Sequence, residues 1–109
     1  MLITECRTTK EKQQFAMQYH GIECQQRKLV EEVHELNEAI TRYETKHDNG
    51  LIVNTEEILT EVADVKNLLE QIIYKYCLDS IAVNDEKKRK IERHFKEMEA
   101  EINARKTSD

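Results

Sequence analysis

The chain carries almost none of the residues that interrupt helices: among its 109 residues there is no proline, and the only glycines are Gly21 and Gly50. Because proline and glycine are the usual helix breakers, their scarcity predicts long helices. Hydrophobic residues make up 39% of the chain, enough to build a helical core. We therefore expect one all-α domain over residues 1–109, an antiparallel bundle of about four helices.

The spacing of apolar residues places these helices. They are predicted to cover about residues 8–19, 24–45, 55–77 and 85–104. The apolar stripe of the second helix consists of Leu29, Val33, Leu36, Ile40 and Tyr43. The stripe of the third consists of Ile58, Val62, Val65, Leu69, Ile72 and Tyr76, widened by Leu59, Leu68 and Ile73. Such a broad stripe indicates contact with more than one neighbour, including another subunit.

A turn and a cap are expected between the second and third helices. Residues 46–50 read KHDNG, which has the composition of a turn. Asn54 is followed three residues later by Glu57, a spacing typical of a helix N-terminal cap. These signals predict that the two helices form a hairpin.

Charge and cysteine content exclude several classes of function. The chain has 22 acidic and 17 basic residues, so its net charge of −5 argues against a nucleic acid polymer as partner. The N-terminus lacks the pattern of a signal peptide and no stretch has membrane-spanning length, so we expect a cytoplasmic protein without a membrane partner. Cys6, Cys24 and Cys77 lack CxxC spacing, which favours reduced thiols over disulfides or a zinc site.

Two pairs of acids occupy matching positions on the central helices. At about 100° per residue, Glu32 and Glu35 lie roughly 60° and 120° to one side of Leu29. Glu61 and Asp64 have the same offsets from Ile58. In an antiparallel pair of helices both sets of acids emerge on the same side, and a turn at residues 48–50 brings them level. The sequence therefore predicts a cluster of four carboxylates.

The four carboxylates of such a cluster would repel one another unless a cation neutralises their charge. Oxygen ligands favour hard cations, so Mg²⁺ is the expected metal, with Mn²⁺ as a substitute. The alternative is four ordinary solvated acids at the helix boundary. The matched level of the two pairs favours the metal site.

The acids also belong to two family motifs. EExxE is present as Glu31, Glu32 and Glu35, and ExxD as Glu61 and Asp64. With the surrounding segments KLVEEVHELNEAI, EVADVKNLLEQIIYKY and KIERHFKEME, they resemble short, single-domain MazG-like nucleoside triphosphate pyrophosphohydrolases. The resemblance covers about residues 25–99.

The resemblance implies an enzyme of nucleotide metabolism, a hydrolase that cleaves a (d)NTP substrate to (d)NMP and pyrophosphate. It implies an oligomer, either a homodimer or a homotetramer. Glu32, Glu35, Glu61 and Asp64 would bind Mg²⁺. Glu35 is the hypothetical proton acceptor for the attacking water, and Glu31 is assigned a supporting catalytic role.

Substrate-binding residues follow from the same resemblance. Lys90 and Arg93 match a KxxR element whose side chains reach the triphosphate. Asn67, one turn after Asp64, is a candidate for contact with sugar or phosphate, and Gln25 for contact with the nucleoside. Each has a simpler alternative: a salt-bridged surface for the two basic residues, and ordinary helix positions for the two amides.

Two other functions stay open at this point. The stripes could form a coiled-coil-like dimer in a non-catalytic helical interaction module. A MazG-like chain could also bind nucleotide without hydrolysing it. The base and sugar preference depends on the shape of the pocket, which these motifs do not determine.

Overall fold

The computed structural model describes residues 2–107, which contain helices and no β-strand. After a 3₁₀ turn at Ile3–Glu5 come the helices α1 (Thr9–His20), α2 (Ile22–Asp48), α3 (Glu56–Lys75) and α4 (Ser80–Thr107). The predicted all-α class is confirmed. The chain divides into two compact units, one ending at Cys77 and one beginning at Leu78. Helices α1, α2 and α3 belong to the first unit, and α4 to the second.

Local hydrogen bonds define the two ends of α1. Thr8 Oγ1 accepts a hydrogen bond from the Glu11 backbone N–H at 3.1 Å, and Glu11 Oε1 accepts one from the Thr8 N–H at 3.0 Å. This reciprocal pair is a capping box. Gly21 ends the helix with φ +82° and ψ 158°, backbone angles that are essentially restricted to glycine. The predicted separation between the first two helices is confirmed, and it is made by Gly21 alone.

Helices α2 and α3 form the predicted antiparallel hairpin. Gln25 near the start of α2 bonds Gln71 near the end of α3, whereas Arg42 near the end of α2 pairs with Glu57 at the start of α3. The start of α3 differs from the sequence expectation in its details. Asn54 Oδ1 does accept the Glu56 N–H at 3.2 Å, but the Glu57 carboxylate binds Arg42 rather than closing a capping box.

The acidic flank of the hairpin is the side that carries Glu32 and Glu35 on α2 and Glu61 and Asp64 on α3. The core of the first unit lies closer to this flank than the centres of the predicted apolar stripes do. The buried apolar residues among those described are Met17, Ala39 and Leu68. Helix α1 packs on α3 and α2 and buries Gln13 together with Met17. Because α1 covers this flank only, part of the predicted stripe is left 41–47% exposed: Val33, Ile40, Val62 and Leu69. These four stripe residues are therefore exposed in the single chain.

Helix α4 begins earlier than predicted and is exposed throughout. Asp79 Oδ1 accepts the Ile81 N–H at 2.8 Å, which starts the helix at Ser80 instead of near residue 85. None of its described residues is buried. Its apolar residues at spacings of four, three and four are Ile91, Phe95, Met98 and Ile102.

No described helix combines the length and the apolar composition that a membrane-spanning segment requires.

The three cysteines differ in their exposure. Cys6, Cys24 and Cys77 are not joined to one another by a disulfide. The first two are half-buried and the third is exposed.

Candidate metal and substrate site

The hairpin brings acids of both motifs together. Glu32 of α2 and Glu61 and Asp64 of α3 each offer a carboxylate oxygen, and these three oxygens lie within 4.8 Å of one another. Glu35 lies beside this group, since its charge acts on both Glu32 and Glu61. The predicted convergence therefore occurs, with three acids in the tightest group and the fourth next to it.

The clustered acids change one another's acid–base behaviour. Burial raises the pKa of Glu32 from its ordinary value to about 7, helped by the charges of Glu35 and Asp64 and by a hydrogen bond with Glu61. The pKa of Glu61 is also raised, first by burial and then by the charge of Glu35, while the hydrogen bond with Glu32 acts in the opposite direction. The protein thus keeps at least one proton in the cluster more readily than isolated carboxylates would.

Two oxygens of the cluster accept no hydrogen bond from a donor group of the described residues. The Oε2 atoms of Glu32 and Glu61 are shielded from solvent, and neither has a hydrogen-bond partner among the described residues. Buried carboxylate oxygens without a donor are costly, and a cation would satisfy both. The ligand set consists only of carboxylate oxygens, which fits Mg²⁺ or Mn²⁺.

The first acid of the EExxE motif lies apart from this cluster. Glu31 is exposed on α2, and at about 100° per residue its side chain points roughly 160° from the centre of the apolar stripe. It is not one of the three acids whose oxygens lie within 4.8 Å of one another. Its supporting role stays a prediction.

A polar cleft of about 160 Å³ adjoins the acids. Helices α1, α2 and α3 all line it, with Glu32 and Asp64 among the lining residues. Gln25 also lines it and lies seven residues before Glu32, which corresponds to ~10 Å along a helix. The cleft therefore extends from the carboxylates towards the start of α2.

A chain of amide side chains begins in the wall of this cleft, which Gln25, Asn67 and Gln71 line. Gln25 Nε2 donates to Gln71 Oε1 at 2.8 Å, and Gln71 Nε2 donates to Asn67 Oδ1 at 3.3 Å. Gln13 Nε2 of α1 donates to the same Asn67 oxygen at 3.0 Å. The predicted residues Gln25 and Asn67 are brought together. Gln13 and Gln71 were missed, because an isolated glutamine in a helix carries no signal for such a contact.

Lys28 is a further residue that the motifs did not identify. It lines the cleft together with Glu32 and Asp64. A signal for it existed in the sequence: Gln25, Lys28 and Glu32 are spaced by three and four residues, so they share one face of α2. Lys28 therefore places a positive charge in the same cleft as the carboxylates.

The basic residues of the KxxR element belong to the second compact unit. Lys90 and Arg93 are exposed on α4. Both charges act on Glu86, whose pKa is lowered first by a hydrogen bond from Arg89 and further by Lys90 and Arg93. Their contact with a triphosphate stays a prediction.

A second group of possible metal ligands lies at the end of α2. Glu44, His47 and Asp48 have ligand atoms within 4.8 Å of one another, but all three residues are exposed. His47 stacks on Tyr43 and lies 3.7 Å from the Asp48 carboxylate. Unlike Glu32 and Glu61, these residues have no shielded and unpartnered oxygen among the described atoms, so we assign no metal site to them.

Comparisons with protein-family models, curated proteins and solved structures found no match for the chain. The MazG-like assignment therefore rests on the resemblance of the motifs.

Proposed function

We propose that this protein is a MazG-like, Mg²⁺-dependent pyrophosphohydrolase that converts a (d)NTP into (d)NMP and pyrophosphate. The observation that carries the proposal is the convergence of Glu32, Glu61 and Asp64 beside a polar cleft that also contains Lys28. A cluster of oxygen ligands next to a cation-bearing cleft suits a substrate with several negative charges.

In this proposal each group has a defined task. Glu32, Glu61, Asp64 and Glu35 would hold the metal, which when bound offsets the negative charge of the triphosphate and of the departing pyrophosphate. Lys28 donates a charge-assisted hydrogen bond to a phosphate oxygen. Glu35 lies beside the tightest group of oxygens and accepts the proton of the attacking water. Hydrolysis breaks the bond between the bridging oxygen and phosphorus in the α–β phosphoanhydride.

The proposal includes assembly as a homodimer or homotetramer. Val33 and Ile40 on α2, and Val62 and Leu69 on α3, form an exposed apolar flank of the hairpin. Residues of each pair are seven apart, so each pair follows one side of its helix. With Met17, Ala39 and Leu68 as the buried apolar residues described, the core of one chain is small, and a second copy on the flank would enlarge it.

Product analysis tests the proposed reaction. Purified protein is offered a panel of ribo- and deoxyribonucleoside triphosphates with Mg²⁺, and the products are followed by phosphorus NMR. We expect monophosphate and pyrophosphate from the native protein and none in EDTA or from a folded Glu35→Gln variant. Glu44→Gln is the matched control, since Glu44 is an exposed acid on the same helix. Diphosphate and phosphate as products would contradict the assigned bond.

The second candidate, a non-catalytic helical interaction module, is favoured by the exposed apolar flank and by the exposed stripe of α4. An Asp64→Asn variant separates the two functions. Loss of Mg²⁺ binding in calorimetry, with folding preserved, supports the enzyme. An unchanged response to Mg²⁺ combined with altered assembly supports the module.

A further inference from the structure

The side chain of Gln25 contains a polar atom that the protein leaves unsatisfied. Gln25 is only 3% exposed, and its Oε1 has no hydrogen-bond partner among the described residues. The residue nevertheless lines the cleft beside the carboxylates. A buried amide oxygen without a donor destabilises the fold, so a ligand that supplies a donor at this position gains affinity from it.

The amide chain determines which atom of Gln25 remains free. Its Nε2 is held by Gln71 Oε1, and the Nε2 of Gln71 is in turn held by Asn67 Oδ1. Gln13 donates to the same Asn67 oxygen and adds a link to α1. Rotating the Gln25 amide alone would place two oxygens against each other. In this arrangement of hydrogen bonds the free end of the chain is an acceptor, Gln25 Oε1.

The distance from the carboxylates suggests what would provide the donor. Gln25 and Glu32 are separated by ~10 Å along α2, comparable with the distance from the first phosphate of a nucleotide to the far edge of its base. We propose that Gln25 Oε1 accepts a hydrogen bond from an N–H group of the substrate's base, an inference that rests on the proposed function. Gln71 acts as a positioning residue that fixes the Gln25 amide.

The proposal defines the chemical class of ligand that the cleft prefers. Adenine, cytosine and guanine carry an exocyclic amino group, and uracil, thymine and guanine carry a ring N–H. Inorganic tripolyphosphate offers the same kind of charge without a base. The cleft should therefore separate nucleotides from simple polyphosphates through Gln25, while the carboxylates and Lys28 respond to both.

Equilibrium binding tests this assignment without depending on turnover. The ligands are the α,β-methylene form of the nucleotide that the native protein binds best, an analogue whose base lacks the N–H donor, and inorganic tripolyphosphate, all with Mg²⁺. For adenine the analogue is the unsubstituted purine, and for uracil it is the N3-methyl base. Gln25→Leu removes the acceptor. Gln26→Leu, at the exposed neighbouring glutamine, is the matched control.

We expect the native protein and the Gln26→Leu control to bind the analogue about tenfold more weakly than the parent nucleotide. Gln25→Leu should bind the two nucleotides equally, and its affinity for tripolyphosphate should match that of the native protein. Persistent discrimination in Gln25→Leu would overturn the assignment, as would an equal loss of affinity for all three ligands. If circular dichroism shows that Gln25→Leu is unfolded, Gln25→Asn is used in its place. This substitution withdraws the carbonyl by one methylene, and we expect the same pattern of affinities.

The outcomes also separate this inference from the proposed function. Nucleotide binding that depends on Gln25, in a protein without hydrolysis, supports the inference and contradicts the enzyme. Hydrolysis without any effect of Gln25 on discrimination supports the enzyme and overturns the inference. A native protein that binds none of the nucleotides contradicts both.

Discussion

Glu32 combines two properties that rarely occur in an isolated carboxylate: a shielded oxygen without a partner and a pKa raised to about 7. The raised pKa arises because burial and the neighbouring acids disfavour the charged form of Glu32. A metal-binding role explains why such a group is placed here. The free energy needed to ionise it is regained when the cation binds.

This residue predicts how the stability of the metal-free protein depends on pH. The pKa of Glu32 is higher in the folded chain than in the unfolded chain, so its contribution is complete below the ordinary carboxyl pKa. The contribution is lost as pH rises through about 7. In EDTA, the free energy of unfolding measured with urea should therefore fall between pH 5 and pH 8. The fall should be smaller in Glu32→Gln.

Metal binding should depend on pH in the opposite sense. Because the metal requires the ionised carboxylate, the Mg²⁺ affinity of the native protein measured by calorimetry should rise as pH increases through 7. Two results together would contradict the role assigned to Glu32. The Mg²⁺ affinity would not change with pH across this range, and the free energy of unfolding would change with pH equally in the native protein and in Glu32→Gln.

Lys28 allows a second prediction at the scale of single residues. If it contacts a phosphate oxygen, Lys28→Gln should raise KM about tenfold, which corresponds to ~1.4 kcal/mol for a charge-assisted hydrogen bond. Steady-state kinetics on the preferred nucleotide measures the change. Arg27→Gln is the control, since Arg27 is an exposed cation next to Lys28 that does not line the cleft. Equal effects of the two substitutions would indicate a general influence of charge.

Among the elements, the junction between α1 and α2 positions the cleft. Gly21 joins the two helices without an intervening loop, and α1 contributes Ala16 and His20 to the cleft wall. The same helix brings Gln13 to Asn67. The direction in which α1 leaves Gly21 therefore affects the amide chain as well as the core.

The conformation of Gly21 predicts the effect of a single added methyl group. A Cβ at this position would meet no atom within 4 Å, but φ is +82°. Gly21→Ala should therefore destabilise the first unit by about 1–3 kcal/mol through backbone strain alone. Urea unfolding followed by circular dichroism measures this difference. Gln18→Ala, at an exposed position of α1, should change stability by less than ~0.5 kcal/mol. If the urea midpoint of Gly21→Ala equals that of the native protein, the alanine does not strain the backbone at this position.

At the scale of the whole molecule, the exposed flank of the hairpin predicts how the protein assembles. Val62 is 47% exposed and lies on the flank defined with Val33, Ile40 and Leu69. If a second copy covers this flank, Val62→Lys would bury a charge at the interface. The molar mass measured by light scattering after gel filtration should fall from the oligomer to the monomer.

Ile52 provides the matched control for this prediction. It is fully exposed in the turn between α2 and α3 and does not belong to the flank. Ile52→Lys introduces the same charge, so its molar mass should equal that of the native protein. A native protein that is monomeric at all concentrations, or a folded Val62→Lys variant that keeps the native mass, would contradict assembly through the flank.

The acidic site was predictable because it depends on local regularity. Helical periodicity determines the directions of Glu32, Glu61 and Asp64, and one turn near Gly50 suffices to bring them level. The burial of the stripes was less predictable. Val33 and Val62 have the same periodicity as buried residues, and only the side on which α1 packs leaves them exposed.

The amino-acid sequence was therefore sufficient for the helical class, the break at Gly21, the hairpin and the convergence of the acids, since each follows from short-range backbone preferences and spacing. The tertiary structure alone revealed the amide chain from Gln13 to Gln25 and the cleft that Lys28 lines. These features join three helices through side chains as many as 54 positions apart. Contacts at such separations depend on the packing angles of the helices, for which the pattern of a single helix carries no signal.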